Sequence, residues 1–471
     1  MRINDKQFTK QQALAVAAVA LIAALALALG GCGGGDPAGA SATAPETIPQ
    51  PSKSQLAPAG LDKLPVAADS KRVDIAAPTF SNPTQITNPL FPISDLQSVV
   101  FSGRVDSKPF HTETTLLPQT RMVEWSPGQW VEARVSQYMA YIDGRIEEVA
   151  IDLYAQADDG SVWYLGEDVY DYSNTKGLID GTAGTWLAGR DGPPEMIMPA
   201  DPQVGDVHRP ENIPGLAFEE VTIKRLDKTV KGPTGPVQGA MIARELHDDG
   251  THSDKVFAPG YGEFFSGHGT EIEAMALAVP TNALSGPEPP ELKALSTGAN
   301  DLPDPVLSRN WNSVAAVEKA VARAWGDYKQ GEIPPRIAVE MDRALKTLAG
   351  AIDARDRAQA GTAAIDVAQS TLDLELRYGP QAEIDLARFE LWARQILVDG
   401  AVGDMGGVNA DVATLDWVRD RFAYTVQDAD LTRIDAHLEV LRDAVVNVDR
   451  KAAVDEAPQL LKATEAATQT G

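Results

Sequence analysis

The chain has 471 residues, 41 Lys and Arg against 67 Asp and Glu, and a formal charge of −26. That length allows two or three domains, each with a real core. A single cysteine excludes a disulfide framework, a cysteine zinc site and covalent haem attachment. The acidic balance argues against nucleic acid, since phosphate binding needs a basic surface that releases counterions.

Arg2, Lys6 and Lys10 precede an uncharged apolar run, Ala13–Leu29, of 17 residues. A basic segment followed by a short apolar one reads as a secretory signal. Leu29-Gly30-Gly31-Cys32 closes the run, and Cys32 is the lone cysteine. This stretch resembles the lipobox of bacterial lipoproteins. The resemblance implies cleavage after Gly31, a thioether-linked diacylglycerol on Cys32 and acylation of the new amino group. Several acyl chains, at about 0.8 kcal/mol per buried CH₂, would make a permanent anchor. Gly33 stands where Asp would be the family's inner-membrane retention signal. The expected location is therefore the bacterial cell envelope, in the outer membrane if the host has one.

Residues 1–31 are expected as signal peptide and 32–76 as acylated Cys and flexible tether. The latter is rich in Gly, Ala, Ser and Pro and lacks hydrophobic periodicity. A β domain is expected over 77–284, a Pro-rich linker over 285–305 and a helical bundle over 306–471. Residues 77–303 hold 33 acidic and 15 basic side chains, so the negative field sits mainly there.

The β domain announces itself through turns. Val131–Ile142 and Ile146–Gln156 flank Asp143-Gly144, which suits a type I′ hairpin. Asp159-Gly160 precedes Val162–Gly166, and Asp248-Asp249-Gly250 separates Ala240–His247 from Lys255–Ala258. The expected fold class is α+β, an antiparallel sheet curled towards a half-barrel and followed by an all-α bundle. Alternation puts Val149, Ile151, Leu153 and Ala155 on a core face and Glu148, Asp152, Tyr154 and Gln156 on the other. If the Asp143-Gly144 turn sets the register, Met139 lies opposite Glu148 and Tyr141 opposite Ile146. The stretches 152–167 and 256–263 resemble segments of uncharacterised secreted bacterial β proteins, which supports the fold and identifies no activity.

Helical stripes follow. Leu431, Ile434, Leu438, Leu441, Val445 and Val448 are the cleanest. Others run through Val314–Tyr328, Ile337–Ile352, Phe389–Ile396 and Val412–Phe422. With breaks at Pro334-Pro335 and Gly379-Pro380, five or six antiparallel helices are expected.

Chemistry is sparse. The sequence has no Glu-x-x-His, G-x-S-x-G, Walker A or G-x-G-x-x-G after a strand, and His437 reads as structural. His247, His252 and His268 cluster around acidic turn residues and form a weak metal or hydrolase candidate. Tyr141, Glu148, Asp152, Tyr154, Trp163 and Tyr164 are the candidate ligand groove. Glu148 and Asp152 on one strand stand roughly 13 Å apart, too far for a glycosidase pair. The expected role is non-enzymatic, with no cofactor. The membrane is reached through the acyl chains, and an envelope protein, lipid or glycan is the partner. A carrier with an apolar ligand in the half-barrel is the rival.

Overall fold

The computed structural model describes residues 45–468. Gly31 and Cys32, with the whole signal segment, lie outside the described residues.

Among the described residues fourteen strands form one sheet. They are β1 (Ser98–Val105), β2 (Lys108–Ser126), β3 (Gln129–Ile142), β4 (Arg145–Gln156), β5 (Val162–Tyr172), β6 (Ile179–Gly181) and β7 (Trp186–Leu187). They continue as β8 (Glu195–Met198), β9 (Val207–Ile213), β10 (Ala217–Gly232), β11 (Gly235–His247), β12 (His252–Ala258), β13 (Gly262–His268) and β14 (Glu271–Val279). The order is β6-β5-β4-β3-β2-β1-β14-β13-β12-β11-β10-β9, antiparallel throughout, with β7 and β8 also paired to β5. The two meanders join where β1 pairs with β14. Asp143 and Gly144 both take positive φ, 54° and 78°, as a type I′ turn requires.

The pairing path is open, yet the sheet curls strongly. Glu148 and Asp152 of β4 line the same cavity as Lys255 of β12. These strands are six spacings apart in the path, roughly 29 Å on a flat sheet. Glu167 of β5 even hydrogen-bonds Glu211 of β9, near the two ends of the path. The sheet therefore has a concave face and a convex one.

Helices cover the convex face. They are α1 (Lys53–Leu56), α2 (Pro290–Asp301), α3 (Pro303–Leu307), α4 (Trp311–Tyr328), α5 (Pro335–Ala354), α6 (Arg357–Glu375) and α7 (Gln381–Val402). Three more follow: α8 (Met405–Phe422), α9 (Asp428–Val446) and α10 (Arg450–Thr468). Proline opens α5, and the Asp356 and Asp404 side chains cap α6 and α8 by accepting from Gln359 N and Gly407 N. One core joins Val100, Ala276 and Leu277 of the sheet to α2–α7, and a second packs Met139, Tyr141 and Val149 against α7–α10. Sheet and helices thus share their cores within one unit, Ala42–Gly471. Among the described residues no helix is long and apolar enough to cross a membrane.

Four expectations need correction. Residues 45–76 are not a loose tether: Ile48 and Leu61 are buried, and the backbone N–H of Ala67 donates to Glu220. Scattered apolar residues dock singly there, so no periodicity betrays them. The 285–305 linker is mostly α2 and the start of α3, with Leu292, Leu295, Ala299 and Leu302 buried at helical spacing. There are seven helices of 18 or more residues between 311 and 468, rather than five or six in all. The sixth helix escaped because it is buried on nearly every side and has no stripe. Finally, α9 stops at Val446, leaving Val448 exposed beyond the stripe.

Candidate functional site

Each face of the sheet carries a cavity with polar side chains. Their positions depend on a bulge. Tyr141 pairs with Ile146, as expected, but Ala140 pairs with Glu148 and Met139 with Val149, because one extra residue enters β4. The bulge reverses side-chain parity. Ile146 joins Tyr141 and Val149 against the helices, whereas Glu148 faces the concave side.

The concave cavity measures about 300 Å³ and is lined by Tyr138, Glu148, Asp152, Tyr154, Glu263 and Glu273, among others. Phe91, Phe101 and Tyr261 add three more rings. Tyr164 donates to Asp152 Oδ1 at 2.6 Å and stacks on Tyr154 with centroids 4.8 Å apart. Thr112 donates to Glu273 Oε1 at 2.8 Å. Lys255 Nζ lies 3.4 Å from both Glu245 Oε2 and Glu263 Oε1. Among the described lining residues it is the one basic group, facing four carboxyls. Beyond the cavity the carboxyls continue as two hydrogen-bonded pairs, Glu167 with Glu211 and Glu219 with Glu245.

Burial without enough counter-charge raises these acids. Desolvation, reinforced by neighbouring carboxylates, pushes Glu148 up to about 7 and Glu273 to about 7. Desolvation also lifts Asp152 to about 7, against the opposing hydrogen bond from Tyr164. Glu167 rises to about 11, again by desolvation first and Glu211 second. Near neutral pH the concave face is poised between protonated and charged states.

The second cavity, about 420 Å³, lies between the convex face and α5–α7. Tyr141 and Trp392 stack along it at 5.2 Å and 12°. Its inner wall is a buried ionic hub. Glu113 of β2 binds Arg421 of α8 through Oε2 at 2.5 Å and Arg388 of α7 through Oε1 at 3.2 Å. Arg388 also reaches Asp373 at 2.7 Å and Asp385 at 3.1 Å. Although burial disfavours the charge, the two guanidinium groups hold the Glu113 carboxyl well below its ordinary range. Elsewhere Arg343 pairs with Glu340 and Asp366, and Arg145 with Asp404. Arginines thus pair Glu113, Asp373, Glu340 and Asp366 of this cavity, while the hub keeps three carboxylates against two guanidinium groups.

Of the six groove residues read from sequence, Glu148, Asp152 and Tyr154 meet in the concave cavity and Tyr164 supports them. Tyr141 lies on the opposite face for the parity reason above. Trp163 neighbours Tyr164 in the strand and so points away, into a cluster with Ile48, Ala157 and Met196. The histidine cluster does not converge. His252 pairs with Leu246 and therefore shares its face, while His247 sits on the other, beside Ser253 and Glu245. The side chain of His268 lies outside the described residues. His437 meets Glu456 at 2.5 Å, a contact between α9 and α10. Sequence reading passed over His111 and Glu113, although their i, i+2 spacing on a strand places them on one face.

The chain matches no protein-family model, and a search of curated proteins gives no match. The class is therefore defined by architecture alone: a curled antiparallel sheet with a carboxyl-lined concave face and a helical bundle docked on its back.

Proposed function

We propose that this protein is a lipid-anchored envelope lipoprotein that binds a small organic cation, an alkylammonium or polyamine, in the concave cavity of its sheet. The observation that carries the reading is charge imbalance: four carboxyls face one lysine among aromatic rings. Buried charges are normally paired, and an unpaired excess of one sign invites a counter-ion. An ammonium group satisfies carboxylates by hydrogen bonds and the faces of Tyr138, Tyr154 and Tyr261 by cation–π attraction. About 300 Å³ is the volume of roughly ten waters, which suits a short amine. In the cavity on the convex face, by contrast, arginines already pair Glu113, Asp373, Glu340 and Asp366. The lipobox at Cys32 supports the anchor. A binding role accords with the absence of a nucleophile or phosphate-binding motif from the sequence.

Isothermal titration of the protein lacking residues 1–44 with putrescine, spermidine and choline tests this. Saturable 1:1 binding of one of them, weakened at least tenfold in Glu263→Gln, supports it. Equal and weak binding of all three, unchanged in the variant, contradicts it.

A further inference from the structure

We infer a second site, unrelated to the organic cation: a divalent transition-metal site at the seam between sheet and bundle, formed by His111, Glu113, Asp373 and Gln369. His111 Nε2, Glu113 Oε1 and Asp373 Oδ1 come from β2 and α6, and one ligand atom from each lies within 4.8 Å of the others. Ligands held about 2.1 Å from a tetrahedral ion stand roughly 3.4 Å apart. His111 Nε2 and Glu113 Oε1 are already 3.3 Å apart. Side-chain adjustments of about an ångström bring Asp373 to the same spacing.

The occupant of the centre is informative. Gln369 Nε2 sits among the three, 2.9 Å from Glu113 Oε1, 3.2 Å from Asp373 Oδ1 and 3.5 Å from His111 Nε2. An amide N–H can stand where a cation would, because both offer positive charge to the same acceptors. The other end of that amide, Gln369 Oε1, is buried and has no hydrogen-bond partner. Half a turn about the last side-chain bond aims this orphaned oxygen inwards once a metal replaces the N–H. The result is a fourth ligand and an N₁O₃ set, which suits Zn²⁺ or Mn²⁺ better than a thiolate metal.

Charge favours the ion. The hub holds three carboxylates, Glu113, Asp373 and Asp385, against two guanidinium groups, Arg388 and Arg421. Arg421 holds the outer oxygen of Glu113, Oε2, as a partner behind a metal ligand does, while Arg388 shares the two ligand oxygens themselves, 3.2 Å from Glu113 Oε1 and 2.7 Å from Asp373 Oδ1. A route in exists, since His111 and Gln369 both line the cavity of about 420 Å³. The rival group, Glu219, Glu245 and His247, also converges within 4.8 Å. Its Glu245 is engaged by Lys255 and Ser253, and none of its three side chains is an amide that could supply a fourth oxygen.

The test uses the soluble protein stripped with chelator and dialysed against Zn²⁺, with metal counted per chain. Co²⁺ is then added to read the ligand field from its visible absorption. One equivalent is expected, with a four-coordinate Co²⁺ spectrum. His111→Ala, a half-exposed position, should weaken Zn²⁺ at least tenfold, whereas His247→Ala should leave it unchanged. Gln369→Glu, which supplies an anionic oxygen at the fourth position, should tighten it. No stoichiometric metal in the folded protein overturns the inference. So does binding that survives His111→Ala or vanishes with His247→Ala. Because the readout is metal with no amine present, its failure leaves the organic-cation reading standing, and the converse holds.

Discussion

Glu113→Gln removes one charge from the middle of the seam while keeping the side chain's shape. The guanidinium of Arg388 retains Asp373 at 2.7 Å and Asp385 at 3.1 Å, but Arg421 is left with Asp385 at 3.6 Å and the amide of Gln137. The loss therefore falls mainly on Arg421, whose side chain is fully buried. Removing one partner of a buried pair costs about 3–5 kcal/mol. The glutamine can still accept one hydrogen bond, so about 3 kcal/mol is expected, a large share of a net stability of ~5–15 kcal/mol. Urea unfolding followed by circular dichroism and by tryptophan fluorescence measures it, with Trp392 and Trp417 reporting from the seam. The double variant Glu113→Met with Arg421→Met should cost less than the sum of its singles by about 2 kcal/mol, because it leaves no lone charge. A loss under about 1 kcal/mol for Glu113→Gln, or strict additivity in the cycle, would refute the view that this ion pair locks sheet to bundle.

Three further outcomes follow from the same physics. Glu148, Asp152 and Glu273 titrate near 7 in the folded chain, against ordinary values of 4.5, 3.8 and 4.5. The folded state therefore holds more protons between about pH 4 and 7, and stability should fall as pH rises through that window. The contribution of Glu148 alone is on the order of 3 kcal/mol, and a melting temperature no lower at pH 8 than at pH 5.5 would contradict it. Lys255→Met removes the built-in counter-ion of Glu245 and Glu263. It should lower the melting temperature yet tighten amine binding several-fold; weaker binding would show the lysine to be a ligand-positioning group instead. Cys32→Ser in the full-length chain should shift it from the membrane to the soluble fraction of its native host and abolish labelling by a fatty-acid analogue. Unchanged membrane association would remove the lipoprotein reading.

Local signals were legible and long-range ones were not. Asp143-Gly144 announced its hairpin because both residues tolerate positive φ, and alternation in β4 separated Val149, Ile151 and Leu153 from Glu148 and Asp152. The bulge at Glu147 has no such signature, so Tyr141 was placed with Glu148 when it belongs with Trp392. Composition misled at 285–305, where prolines suggested a linker although Leu292, Leu295, Ala299 and Leu302 already carried helical spacing. Glu113 meets Arg421 across 308 positions, a pairing that no local pattern encodes. The curl that gathers carboxyls from β4, β13 and β14 around Lys255 of β12 is likewise a property of the whole curled sheet rather than of any one strand.

The concave cavity as an organic-cation site is tested most directly by native mass spectrometry of the soluble protein at pH 7.5 with an equimolar mixture of putrescine, spermidine and choline. One amine should be retained at 1:1, and retention should fall at pH 5.5, where the carboxyls near 7 are neutral. It should also disappear in Glu148→Gln with Glu273→Gln. Retention indifferent to pH and to both substitutions, or none at all, would contradict the account.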